Sequence, residues 1–259
     1  MIASPRQGVW SGAARRLRPG WVLLQLVGNA LLALGAMAWL HIPDSHGWQF
    51  ALSVFSALLL IAAFLWVYVK SMIDARGRES RAPYRIAGMW LFAGFLISLL
   101  WMHEVAKLGN NVELRAGYWN SQLSAHMRTF LTYARLVEFQ NVVIVALSWL
   151  LPMLLLPIVV ELVTRNWSTA RMASAVRVWL RWQYWSVAIV ALVVGCQMTS
   201  ALVDWHPTYT VRGEVVSVTL RLLFAYGVDI LLGCIVLALT CELLSRASLS
   251  KSTGRDAAA

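Results

Sequence analysis

The residues with the greatest chemical reach in this chain are five histidines, His41, His46, His103, His126 and His206, and one acid deep in an apolar run, Asp229. Three of the histidines share a setting: Trp39-Leu40-His41, Trp101-Met102-His103 and Trp205-His206. Imidazole nitrogen suits zinc, copper or iron, so three rings from three segments facing one another would hold a transition metal or a haem. Glu104 and Asp204, each close to one of those rings, would complete the ligand set or orient it from outside. No tight motif such as His-Glu-x-x-His is present. A competing reading leaves each histidine beside its tryptophan, as an amphipathic group in the headgroup layer.

Asp229 poses a different question. A charge at the centre of a span costs ~2.5–3.5 kcal/mol on insertion scales, so such residues face a bundle interior or a cavity. Gln197 falls at a similar depth and Ser98 a little above it. The three residues would line a polar pocket that opens outward. Alternatively, a neutral Asp229 would hydrogen-bond Gln197 in a two-helix clamp worth ~0.6–2 kcal/mol. Other chemistries have no motif here: there is no Gly-rich phosphate loop, no Gly-x-Ser-x-Gly elbow and no Cys-x-x-Cys pair. Cys196, Cys234 and Cys241 all lie in apolar runs, where a thiol is a small apolar filler.

The elements that position these residues are spans. The chain is 59% hydrophobic and only 13% charged, too apolar for an ordinary soluble domain of its 259 residues. Val142–Val163 has no charge before Glu161, and at ~1.5 Å per residue it is long enough to cross ~30 Å of hydrocarbon. Pro152 and Pro157 inside it are tolerated in lipid, where neighbouring helices or local kinking satisfy freed carbonyls. Five further runs, Trp21–Leu40, Trp48–Val69, Ile86–Met102, Trp182–Val203 and Leu222–Leu243, complete a set of six. Ala36-Met37-Ala38 has the form of a signal-peptidase site, but the preceding run exceeds the ~7–15 residues of a signal peptide, so the first span is expected to be retained. Fourteen tryptophans bracket the runs as an aromatic belt.

Charge sets the expected orientation. The net charge of +10 comes from basic residues beside apolar runs, which points to topology and not to nucleic acid. The N-terminal tail, second loop, fourth loop and C-terminal tail hold four, five, four and three Lys+Arg, against none, four and two in the first, third and fifth loops. The positive-inside rule then puts both termini in the cytoplasm, with the chain in the inner (cytoplasmic) membrane. Arg-rich inner loops with Trp167, Trp179 and Trp182 are placed to touch anionic lipid headgroups at the cytoplasmic face.

The hairpins look repeated. Glu161-Leu162-Val163-Thr164-Arg165 recurs as Glu242-Leu243-Leu244-Ser245-Arg246 and, more loosely, as Met72-Ile73-Asp74-Ala75-Arg76. The expected fold is therefore all-α: a polytopic membrane helix bundle of six transmembrane helices arranged as three repeated hairpins, 21–76, 86–165 and 182–246. A basic tail (1–20) precedes that transmembrane domain (21–246) and a disordered tail (247–259) follows it. Leu123, Met127, Phe130, Leu131, Ala134 and Val137 form a helical stripe that predicts an outer amphipathic helix over 120–137, capped by Asn120 or Ser121. Gln25 and Asn29, at i and i+4, share a face that serves packing. Gly28, Gly35, Gly94, Gly195 and Gly233 allow close helix approach.

Three classes of function fit. With no catalytic motif and no soluble domain, the first is a non-enzymatic scaffold, sensor or subunit whose partner in the membrane supplies the chemistry. The second is a small carrier or permease with an outward-facing pocket around Asp229. The third is a metal- or haem-dependent membrane protein using the outer histidines.

Overall fold

A computed structural model describes residues 8–43, 45–77, 83–165, 172–203 and 211–256. In chain order the elements are α1 (Val9–Arg16), α2 (Pro19–Leu40), α3 (Gly47–Arg76), α4 (Tyr84–Gly109), α5 (Val112–Gln122), α6 (Ala125–Phe130), α7 (Tyr133–Arg165), α8 (Met172–Trp179), α9 (Trp182–Val203) and α10 (Val211–Asp256), with no strand among the described residues. Six of these helices, α2, α3, α4, α7, α9 and α10, are long and apolar enough to cross a membrane, and each contains one of the six apolar runs. The protein is an all-α, multi-pass membrane protein. Helix α7 continues through both Pro152 and Pro157. A proline lacks the N–H that would donate to the carbonyl four residues earlier, yet the helix runs on past both positions without ending.

The chain divides into two compact units: Met1–Leu91 with Pro157–Ala259, and Phe92–Leu156. In the first, α10 is the helix on which the others assemble, packing with α9, α1, α8, α2 and α3. A third (33%) of its most apolar stretch is buried, against 6% in α3, so α10 is the more enclosed of the two. Helices α2 and α3 pair closely because Gly28 has no side chain: a Cβ there would stand 2.9 Å from Val67 Cγ1. In the second unit, Trp101 Nε1 on α4 donates to the Leu147 carbonyl of α7 at 2.8 Å.

The expectation for residues 120–137 changes. Residues 120–137 do not form one amphipathic helix but the end of α5, the short α6 and the start of α7. Ser124 caps α6 by accepting the Met127 N–H, and Thr132 Oγ1 accepts the Arg135 N–H, each at 3.4 Å. Two capping hydroxyls eight residues apart start new helices, and this local bonding competes with one continuous ladder. The basic tail contains α1, and residues 247–256 are helical as the end of α10. That extension has anchors at its root: Ser245 and Ser248 hydroxyls bond carbonyls within the helix, and the Ala247 carbonyl accepts from Arg177 Nη1.

Candidate functional site

The two Glu-x-x-x-Arg endings, Glu161–Arg165 and Glu242–Arg246, sit in two ion-pair knots at the basic end of the first unit. In one, Glu161 near the end of α7 binds Arg76 Nη1, from the last residue of α3, at 2.8 Å; both side chains are fully buried. Arg165, one turn on in α7, approaches the other carboxylate oxygen at 3.5 Å and also reaches Ser248 Oγ on α10. In the other, Glu242 on α10 accepts from Arg16 Nε at 2.9 Å and from Arg246 Nε, one turn on, at 2.8 Å. Each glutamate thus holds an arginine of its own helix at i+4 and one from elsewhere in the chain. Asp74, in the looser ending of α3, pairs with Lys70 at 3.1 Å. Residue spacing therefore predicts the i,i+4 half of each knot but not the long-range half.

Arg16 reaches beyond its carboxylate partner. Besides Glu242 it donates to the Ala75 and Arg76 carbonyls (2.9 and 3.3 Å) and to Ser245 Oγ (2.9 Å). Its positive charge sits on the open carbonyl end of α3, where the helix dipole favours a cation. Trp21 Nε1 donates to the Arg16 carbonyl, and its ring is buried. Gly12 on α1 lies so close to the Glu242 carboxylate that a Cβ would collide with it. Two carboxylates face four guanidinium groups, and all six side chains are paired, which describes a structural clamp.

Above the knots, Gln25 and Asn29 do more than pack α2. Asn29 Oδ1 accepts from Tyr68 OH on α3 (3.0 Å) and Tyr226 OH on α10 (3.4 Å), while Asn29 Nδ2 donates to Gln25 Oε1 at 2.9 Å. Gln25 Nε2 donates in turn to Ser71 Oγ. The buried amides therefore tie three helices together.

Asp229 is placed otherwise than its depth suggests. Its side chain makes no hydrogen bond to Gln197; Oδ1 instead lies over Gly195 of α9, 2.7 Å from where a Cβ would be. Asp229 and Gln197 are both exposed. Gly195 and Gln197 are at similar depth but ~200° apart around the helix, at ~100° per residue. Depth, read from sequence, did not determine the face. Ser98 belongs to the other unit, and its hydroxyl bonds the Gly94 carbonyl of its own helix at 2.8 Å.

Among the described residues no group of three or more His, Cys, Asp and Glu is placed to hold a metal ion. His206 and Asp204 lie outside the described residues. His41 Nδ1 bonds the Met37 carbonyl at 2.7 Å, which makes Nδ1 the donor and leaves Nε2 as an acceptor. His46 caps α3, His126 packs edge-on against Phe130, and Glu104 is exposed and paired with Lys107 at 2.5 Å. The tryptophans beside two of the triad histidines act as clasps. Trp39 Nε1 donates to Ser53 of α3 just as Trp101 donates to α7, and Arg221 closes α9 to α10 by donating to the Leu202 carbonyl at 2.6 Å.

No family model matches the chain, and the comparisons with curated proteins and with solved structures find no match.

Proposed function

We propose that the protein is a non-enzymatic subunit of a membrane assembly, docking a partner helix on the face of α10 that carries Asp229. The observation that carries this reading is the exposure of that carboxylate within an apolar run. An ionisable group at that depth ordinarily faces protein, and here the carboxylate is exposed beside the backbone of Gly195 on α9. Leu222, Tyr226, Asp229 and Gly233, at i, i+4, i+7 and i+11, form one exposed stripe. A Cβ on Gly233 would meet nothing within 4 Å, so the stripe offers both a small residue for close approach and a polar group for an interhelical bond. Exposure favours this reading over a pocket for a carried solute. The partner is a transmembrane helix presenting a hydrogen-bond donor or a cation.

The orientation proposed with it is cytoplasmic termini in an inner membrane, with the ion-pair knots and anionic lipid headgroups at the cytoplasmic face. The matching endings and the matching Trp39 and Trp101 clasps support descent from a triplicated hairpin. Purification from native membranes in mild detergent tests the assembly. Wild type and Asp229→Asn should carry the same second component, and Asp229→Leu should lose it while remaining folded. An unchanged composition in all three would reject the docking face.

A further inference from the structure

The second unit contains a groove of about 120 Å³ between the end of α4, α5 and the first turns of α7. Its lining divides into two kinds of surface. Phe139, Val143 and Leu147 recur at i, i+4 and i+8 along α7 and, with Trp119 from α5, make an apolar trough. Seven residues from Gln140 to Leu147 give it a length of ~10 Å. Arg115 and Gln140 are the polar residues of the lining.

Both present donors without an acceptor. Gln140 is only 6% exposed, and its Nε2 has no hydrogen-bond partner in the protein. Arg115 is fixed by donation from Nη2 to the Leu108 carbonyl at the end of α4, while its buried Nε has no partner. Among the described residues no carboxylate pairs with that guanidinium. Buried N–H groups are almost always bonded, so two unmet donors, one of them on a cation, describe a seat for an oxyanion. The adjoining trough requires that the anion carry a hydrocarbon chain.

We propose that this groove binds an anionic phospholipid, its phosphate held by Arg115 and Gln140 and the first part of one acyl chain laid along Phe139, Val143 and Leu147. The groove is smaller than the ~150 Å³ that encloses a benzene, so it takes only the region next to the head. The rest of the chain continues into the bilayer alongside α7. A carboxylate or phosphate without a chain would leave the trough unused, and a zwitterionic lipid would set its own cation against Arg115. The site is separate from the docking stripe of α10, and neither reading depends on the other.

Native mass spectrometry of the full chain in neutral detergent tests the assignment. The probes are phosphatidylglycerol, phosphatidylcholine with the same acyl chains, and inorganic phosphate. Phosphatidylglycerol should bind about tenfold more tightly than phosphatidylcholine and resist displacement by millimolar phosphate. Arg115→Gln and Gln140→Leu should each weaken it about tenfold, the loss of one charge-assisted or buried bond. Arg115→Lys should recover part of that loss, and Val143→Trp should obstruct the trough with the head site intact. Arg181→Gln at the basic end is the control for general attraction of anionic lipid and should bind as wild type. Equal binding by wild type, Arg115→Gln and Val143→Trp would overturn the proposal, as would displacement by phosphate alone. Circular dichroism and melting of each variant separate a lost site from a lost fold; if Arg115→Gln does not fold, Val143→Trp and Gln140→Leu decide.

Discussion

Arg76→Met should be among the most damaging single substitutions at the basic end. Arg76 and Glu161 have fully buried side chains 2.8 Å apart. Removing the guanidinium strands a carboxylate whose nearest remaining cation in its own helix, Arg165, is 3.5 Å away and itself part-exposed. Breaking a buried ion pair by deleting one partner costs about 3–5 kcal/mol. At ~2–4 °C per kcal/mol for chains of 150–250 residues, the melting temperature should fall by roughly 6–20 °C. Replacing both members, Arg76→Met with Glu161→Leu, removes the stranded charge as well, and apolar replacement of a whole buried pair is often neutral or stabilising. Arg165 can then turn to Ser248 and the rim. A double-mutant cycle in one detergent, read by melting and by steric trapping, should therefore show the double variant recovering ~2 kcal/mol or more relative to Arg76→Met. The reasoning fails if Arg76→Met lies within ~1 kcal/mol of wild type, or if the two losses simply add.

Three further outcomes follow from the packing. Gly28→Leu should lower stability by about 1–3 kcal/mol by pushing α2 from α3, and Val67→Ala in the same chain should return part of it; a neutral Gly28→Leu would refute the close approach. Asn29→Leu should cost more than Tyr68→Phe, and Tyr68→Phe more than Tyr226→Phe, because the bonds broken run from several, to one of 3.0 Å, to one of 3.4 Å; melting that reverses this order would show that Asn29 is not the hub. Single cysteines at Ser45 and Ser252 should be labelled from opposite sides of the membrane, Ser45 from outside; labelling of both from one side would overturn the orientation.

The six spans were legible because length and hydropathy alone make a membrane helix, and all six runs reappear inside single helices. What was not legible is which residues meet across the bundle. The glutamate–arginine endings stood out as a repeat, and their i,i+4 half follows from spacing, but Arg16 with Glu242 joins residues 226 positions apart. Gln25 and Asn29 were recognisable as one face of α2, whereas their bonds to Tyr68 and Tyr226 depend on how α3 and α10 are rotated. The stripe over 120–137 was real as a pattern, yet Ser124 and Thr132, each a natural helix start, divide it. Asp229 stands out in the sequence by its depth, but similar depth leaves the azimuth free, and its carboxylate lies over Gly195 and not on Gln197.

The docking face on α10 is tested most directly by placing a photo-crosslinking residue at Leu222 in native membranes, with Phe55 on the outward side of α3 as the control. Leu222 and Phe55 are both well exposed, at 48% and 64%, so reach to the surrounding membrane does not distinguish them. The expected result is one discrete protein adduct from Leu222, retained with Asp229→Asn and lost with Asp229→Leu, while Phe55 gives only lipid adducts. Lipid adducts alone from both positions, or a protein adduct from Leu222 that persists with Asp229→Leu, would contradict the account.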